Sequence, residues 1–312
     1  HPQGLSKQRQ EGQTMSRLAH VLAVGRWHLK SIGADADADA EVEGIFAQQQ
    51  ELRRRRMRKL LFKGASKGNE QDVQKAIDSG VSVNRVDGDE DPPLILAARI
   101  GSIGVLRQLL DAGAIIDARS STQLETALYC AIFHGHEEAA LFLLSAGANP
   151  NLAAANRDFP ITLASRMNRV HVVRALIQYR ARVDSHDTDN NTALIYAAMR
   201  GSLPVAQALI DAGAADAAGE DDRTALMFAV LETSKDHLGL VKALLRAGAP
   251  LDTRDDAGET ALMLAAEVGN VRAVKRLLKA GADRTLLNKE SKSALILARE
   301  QGHDRVVALL EA

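Results

Sequence analysis

Apolar positions along this chain alternate between two short helical registers. In the stretch 260–282, Ala261, Leu262, Leu264, Ala265 and Ala266 form one dense run, and Val271, Val274, Leu277 and Leu278 recur at the spacing of one helix face. Gly269-Asn270 breaks the two apart, and Ala280-Gly281-Ala282 ends the second. The pattern predicts two short helices, 260–267 and 271–279, followed by an extended polar tail. Such a pair cannot bury both apolar faces by itself, so it calls for neighbours of the same kind.

Those neighbours are in the sequence. Anchored on the glycine that closes each second helix, copies stand at Gly80, Gly113, Gly147, Gly213, Gly248 and Gly281, with Arg180 at the one vacant position. A fixed period near 33 residues with helix–turn–helix text marks a stacked solenoid. Each repeated residue has a mechanical task. Paired alanines in the first helix (97–98, 197–198, 265–266) let neighbouring helices approach closely, and Leu-Leu pairs in the second fill the layer behind. The closing glycine supplies the left-handed turn that other residues enter only at a cost.

The openings PPLILAA (92–98), TALYCAI (126–132), TALIYAA (192–198), TALMFAV (224–230) and TALMLAA (260–266), with closings such as LLDAGAIID (109–117) and LLRAGAPLD (244–252), resemble ankyrin repeats. The resemblance covers residues 51–312, about eight helix pairs. Tetratricopeptide repeats fit poorly, because they lack the A-G-A break and the long polar tail. The expected fold is all-α, an ankyrin-repeat α-solenoid with short β-hairpin-like fingers and an N-terminal helical extension. The expected domains are a flexible tail (1–14), an amphipathic helix with an acidic linker (15–44) and the repeat domain (45–312). Within the last, the N-cap spans 45–80, repeats run to 292, and the C-cap spans 293–312.

Composition adds exclusions. A net charge of −1, from 39 Lys and Arg against 40 Asp and Glu, gives no global pull toward nucleic acid or anionic lipid. Aromatic content of 3% suits thin layers filled by Ala and Leu. One cysteine, Cys130, rules out an intrachain disulfide framework and thiolate zinc clusters, and leans toward a reducing compartment. Together with the resemblance this implies an intracellular, cytoplasmic location. The chain begins with His1 rather than Met, so an organellar location after removal of a leader is the alternative.

Outside the repeats, 15–32 carries Leu18, Val21, Leu22, Leu29 and Ile32 near helical spacing. It suits a cap helix on the first repeat, a docking helix or, least well, a membrane-surface helix. Asp35, Asp37 and Asp39 imitate the start of a calcium loop, but Ala40 and Phe46 stand where glycine and the bidentate glutamate belong, so no metal site is expected. The first repeat's opening helix carries Arg53, Arg54, Arg55, Arg56, Arg58, Lys59 and Lys63. Arg53, Arg54, Arg56 and Arg58 are a candidate basic anchor for acidic protein or phosphate groups, against the plainer reading of a solvated helix face. Repeat four departs most from the pattern: Phe159 replaces the usual Thr, Asn168 the inter-helix Gly, and Arg180 the closing Gly, which predicts local weakness. Repeat six has three extra residues within 231–237, which predict a projecting loop.

The resemblance implies partner binding through finger tips and the concave ends of the inner helices. The matching helix-end pairs are Arg99/Ile100, Phe133/His134, Arg166/Met167, Met199/Arg200, Leu231/Glu232, Glu267/Val268 and Arg299/Glu300. Candidate contacts are Arg99, Phe133, Arg166, Met167, Met199 and Arg200, with Asp189, Asp222 and Asp256 at the tips. Catalysis is not expected: nucleophile elbow, phosphate-binding glycine loop and HExxH are all missing, and Cys130 sits at a core position. The expectation is a non-enzymatic scaffold or adaptor for a protein partner, with no cofactor and no small-molecule substrate. The alternatives are a structural subunit of a large assembly anchored by its N-terminal helices, and an effector or immunity-type inhibitor.

Overall fold

The computed structural model describes residues 36–84, 91–232 and 234–312. The expected tail and the helix over 15–32 lie outside them. The chain divides into two compact units, residues 1–59 and 60–312.

Sixteen α-helices lie among the described residues, in eight consecutive pairs. They are α1 (Ala36–Lys67) and α2 (Glu70–Asp78), α3 (Pro93–Arg99) and α4 (Ile103–Asp111), α5 (Ala127–Phe133) and α6 (Glu137–Ser145), and α7 (Pro160–Arg166) and α8 (Val170–Gln178). Then come α9 (Ala193–Met199) and α10 (Leu203–Asp211), α11 (Ala225–Leu231) and α12 (Lys235–Arg246), α13 (Ala261–Glu267) and α14 (Val271–Ala280), and α15 (Ala294–Glu300) and α16 (Asp304–Glu311). First helices pack in one row, α3 on α5 and so on to α15; second helices pack in another, from α2 to α16.

Local chemistry explains these boundaries. Thr126, Thr192, Thr224, Thr260 and Ser293 cap the first helices, each hydroxyl accepting the backbone N–H three residues on, at 3.2–3.4 Å. Pair four has Phe159 at that place. Thr162 stands in, its Oγ1 accepting the Phe159 N–H at 2.9 Å. The alanine pairs 97–98, 197–198 and 265–266 are wholly buried, as are Leu109, Leu143, Leu176, Leu209 and Leu277. The closing glycines are left-handed, and Arg180 adopts the same conformation at φ 67°, which costs about 1 kcal/mol in a residue with a Cβ.

The structure differs from the sequence expectations at two places, while the fingers are hairpin-like as expected. The fingers form no strand among the described residues, only isolated antiparallel bridges at Arg119–Thr126 and His186–Thr192. Their tips are closed by buried side chains instead. Asp187 Oδ1 accepts the N–H groups of Asp189 and Asn191, Asp255 Oδ1 those of Ala257 and Glu259, and Asn288 Oδ1 those of Glu290 and Lys292. A turn satisfied in this way leaves too little arm for a ladder. The acidic stretch expected as linker is helical from Ala36 onward. Alternating alanine favours helix. Finally, the extra length of pair six lengthens its second helix. Three residues separate α11 from α12, as they separate α9 from α10, and α12 has 12 residues against 9 in α10. Ser234 caps the lengthened helix through the His237 N–H.

Neighbouring fingers are tied at their bases by a repeated rung, a side-chain Oδ1 accepting a backbone N–H from the next finger. Asn84 takes Ile115 at 2.8 Å, Asp117 takes Asn149 at 3.0 Å, and Asn151 takes Arg182 at 2.8 Å. Asp184 takes Ala215 and Asp252 takes Asp283, both at 3.0 Å.

Candidate interaction site

Six of the seven helix-end pairs occupy equivalent places, one residue ending its first helix and the next following it; in the last, Glu300 ends α15 and Arg299 stands one place earlier. Because the first helices stack in one row, these ends form a continuous edge. The structure sorts the candidates on that edge into two groups.

Arg99 and Arg166 are engaged inside the protein. Arg99 Nη1 lies 2.6 Å from Asp91, and its Nη2 lies 3.2 Å from Glu125 of the next pair. Arg166 pairs with Asp158, a carboxylate with no solvent exposure, and its guanidinium lies 5.3 Å over the Tyr196 ring. Asp158 also accepts from the Tyr129 hydroxyl at 2.9 Å and from the Thr162 hydroxyl at 2.8 Å. The Tyr196 hydroxyl in turn donates to Asp187. A polar chain therefore runs through pairs three, four and five just beneath the edge.

Sequence reasoning missed this chain, yet a signal for it exists. The residue eight before the end of a first helix carries the opposite charge in Asp91/Arg99, Asp158/Arg166 and Lys292/Glu300, and all three make ion pairs. Where this register repeats a charge, as in Glu259 and Glu267, no such pair can form. Burial, together with Glu267 and Asp255, holds the Glu259 carboxyl above its ordinary range.

The second group faces solvent. Phe133 is 52% exposed, its ring stacked on Tyr129 at 6.3 Å and meeting His134 edge-on at 5.3 Å. Met199 and Ile100 are each 40% exposed, and Val268 is 38% exposed. Met167 is half-buried against the core. Arg200 is exposed, steadied by its Nε donating to the Arg166 carbonyl at 3.0 Å. Partial burial, then the neighbouring Arg99 and His136, hold His134 below its ordinary range.

At the tips Asp189, Asp222 and Asp256 are exposed. Asp222 sits in a left-handed conformation in the 3-10 turn Glu220–Asp222, and the Asp256 N–H donates to the Asp221 carbonyl at 3.0 Å. In α1, Arg53, Arg54 and Arg56 are exposed and Arg58 is half-buried; Arg55 pairs with Glu51 at 3.3 Å.

The chemistry of the edge is that of contact. Burial and the neighbouring Glu125 push the Cys130 thiol up to about 12, so it is not a thiolate at neutral pH. Burial and the bond to Asp187 push Tyr196 up to about 12. Among the described residues no three His, Cys, Asp or Glu side chains are placed to hold a metal ion, and no helix is long and apolar enough to cross a membrane.

Comparison with known proteins agrees with the repeat geometry. The family model described as ankyrin repeats (3 copies) matches residues 61–154, 161–249 and 226–312. The ankyrin-repeat domain of Bcl-3, described as a unique member of the IkappaB protein family, superposes with a TM-score of 0.63 at 27% identity. That match covers 72% of this chain and all of the Bcl-3 chain. The Caenorhabditis elegans ankyrin repeat and KH domain-containing protein mask-1 is 35% identical over 114 residues, 36% of this chain and 4% of its own length. The Schizosaccharomyces pombe glycerophosphocholine phosphodiesterase gde1 is 34% identical over 127 residues, 38% of this chain and 10% of its own length. The chain thus spans a small part of the length of the last two relatives.

Proposed function

The chain belongs to the ankyrin-repeat family, and from that premise we propose that it is a non-enzymatic scaffold that holds a protein partner on the edge formed by its first-helix ends. Ankyrin repeats are protein–protein interaction modules. The observation that carries the assignment is the row of exposed apolar side chains at the first-helix ends, Phe133 and Met199 as last helical residues and Ile100 and Val268 as the residues that follow. Large apolar groups held out on a stacked scaffold are what interface cores are made of. Arg200 supplies the available cation in mid-row, and Asp189, Asp222 and Asp256 supply a polar rim at the tips. Arg99 and Arg166 serve differently: their ion pairs hold the helix ends in place beneath the contact residues.

A photo-crosslinking residue at position 133 or 199 tests this, with adducts identified by mass spectrometry. The expected result is one dominant protein adduct at both positions, lost in the Met199→Ala or Phe133→Ala background respectively. Adducts that form equally well from position 141 or 179, exposed residues of the second-helix row, would refute the edge assignment.

A further inference from the structure

Neighbouring pairs are joined at two ends, and one junction lacks both joints. At the finger bases, five rungs link successive fingers from Asn84–Ile115 to Asp252–Asp283. The rung between the fifth finger (214–223) and the sixth (249–259) is missing. Its acceptor position holds Ala217, and its donor position holds Pro250, which has no N–H.

The position before the acceptor is changed as well. Val83, Ile116, Val183 and Leu251 place an apolar side chain there, packed on the core. The fifth finger has Asp216, which turns to cap α11, accepting from Ala225 N–H at 2.7 Å and Leu226 N–H at 3.3 Å. A cavity of about 250 Å3 remains, lined by Leu194, Ile210, Asp216, Leu244 and Pro250 among others.

The other joint lies at the inter-helix turns. His136 and His303 reach back to the carbonyls of Arg99 and Glu267, each with Nε2 at 2.9 Å. Asn270 does the same work from pair seven, donating to Val230 and Glu232 at 2.8 and 3.0 Å. His237 lies over Gly201 as His136 lies over Gly101, yet its Nε2 is buried without a partner among the described residues. The lengthened α12 accounts for this. His136 and His303 precede their helices, whereas His237 is the third residue of α12 and turns its Nδ1 to Ser234 Oγ at 2.8 Å.

Among the described residues, pairs five and six are joined by the packing of α9 on α11 and α10 on α12, which is as extensive as at any other junction, with two contacts at the tips. These are Arg223–Asp255 at 3.2 Å and the Asp256 N–H on the Asp221 carbonyl at 3.0 Å.

We propose that the stack hinges between its fifth and sixth pairs, so that residues 93–213 and 225–312 are two cooperative blocks that open from each other there. Apolar packing is non-directional, whereas hydrogen-bonded joints fix the angle between neighbours, so in a one-dimensional array a junction that has the packing without the joints is the one free to open. The inference does not depend on what occupies the helix-end edge. It does give that edge a movable joint, because Met199 and Arg200 lie on one block and Leu231, Glu232 and Val268 on the other.

Native-state hydrogen exchange of the whole chain, read by mass spectrometry, tests the hinge. The expected profile has one step between α10 and α11, with pairs six to eight exchanging together about tenfold faster than pairs three to five. The double variant Ala217→Asp, Pro250→Ala restores the rung and should remove the step. Asp184→Ala cuts an intact rung and should create a second step between α8 and α9; it decides the matter even where the double variant does not fold. Protection that declines smoothly toward the C-terminal end, a step elsewhere, or an unchanged profile in Asp184→Ala would overturn the proposal.

Discussion

Tyr129 of the third pair donates its phenol to Asp158 of the fourth at 2.9 Å, and that carboxylate has no contact with solvent. Thr162 and Arg166 complete its coordination. Removing one member of a buried charged set leaves the others uncompensated, which costs more than the set contributes when whole. Asp158→Ala should therefore lower the unfolding free energy by about 3 kcal/mol in urea titration. Arg166→Glu should unfold the protein locally rather than merely spoil a surface contact. Arg200→Glu, on an exposed side chain, should stay within about 0.5 kcal/mol of the parent.

Asp216 makes stability depend on pH. Burial pushes its carboxyl up to about 6, although the N–H groups of Ala225 and Leu226 and the side chain of Thr224 pull the other way. The folded state thus favours the protonated form. The associated stability is fully present below the ordinary value of 3.8 and is lost as pH rises through about 6. Asp216→Asn should flatten that slope and raise stability at pH 7 by about 1–2 kcal/mol, since a tenfold change in proton affinity corresponds to about 1.4 kcal/mol. Thermal melts at intervals from pH 4 to pH 8 check it. A parallel slope in the variant would refute the assignment.

Two glycines with similar backbones should respond differently to alanine. Gly101 and Gly113 are both left-handed, at φ 69° and 84°. A Cβ at Gly113 would point into open space, so the cost is that of backbone strain alone, about 1–2 kcal/mol. At Gly101 the Cβ would lie 2.6 Å from the His136 ring and displace the bond from Nε2 to the Arg99 carbonyl. Gly101→Ala should cost at least about 1 kcal/mol more than Gly113→Ala by denaturant midpoint.

Cys130 should report unfolding. Its thiol is buried, lies 3.4 Å from Glu125 and is held up to about 12. Native protein should therefore resist iodoacetamide at pH 8, with modification tracking the opening of pair three. Rapid labelling under native conditions would show that this layer opens more freely than its packing implies.

The eight pairs, the buried alanines and the left-handed closing turns were all legible in the residues, because each follows from spacing within about 33 positions. Asn168 and Arg180 even take the positive φ that their places in the repeat demand. Charge could not be read in the same way. Arg99 and Arg166 look in sequence like Arg200, but Asp91, Glu125 and Asp158 come within reach of the first two only after the chain has folded. The same holds at the fifth junction, where Ala217 and Pro250, 33 residues apart, matter only because stacking sets them face to face. Periodicity is a local property, and the sequence by itself determined what depends on it: the helices, their faces and their order. Which polar groups are paired, free or stranded is a matter of distance between repeats, and that only the tertiary structure decided.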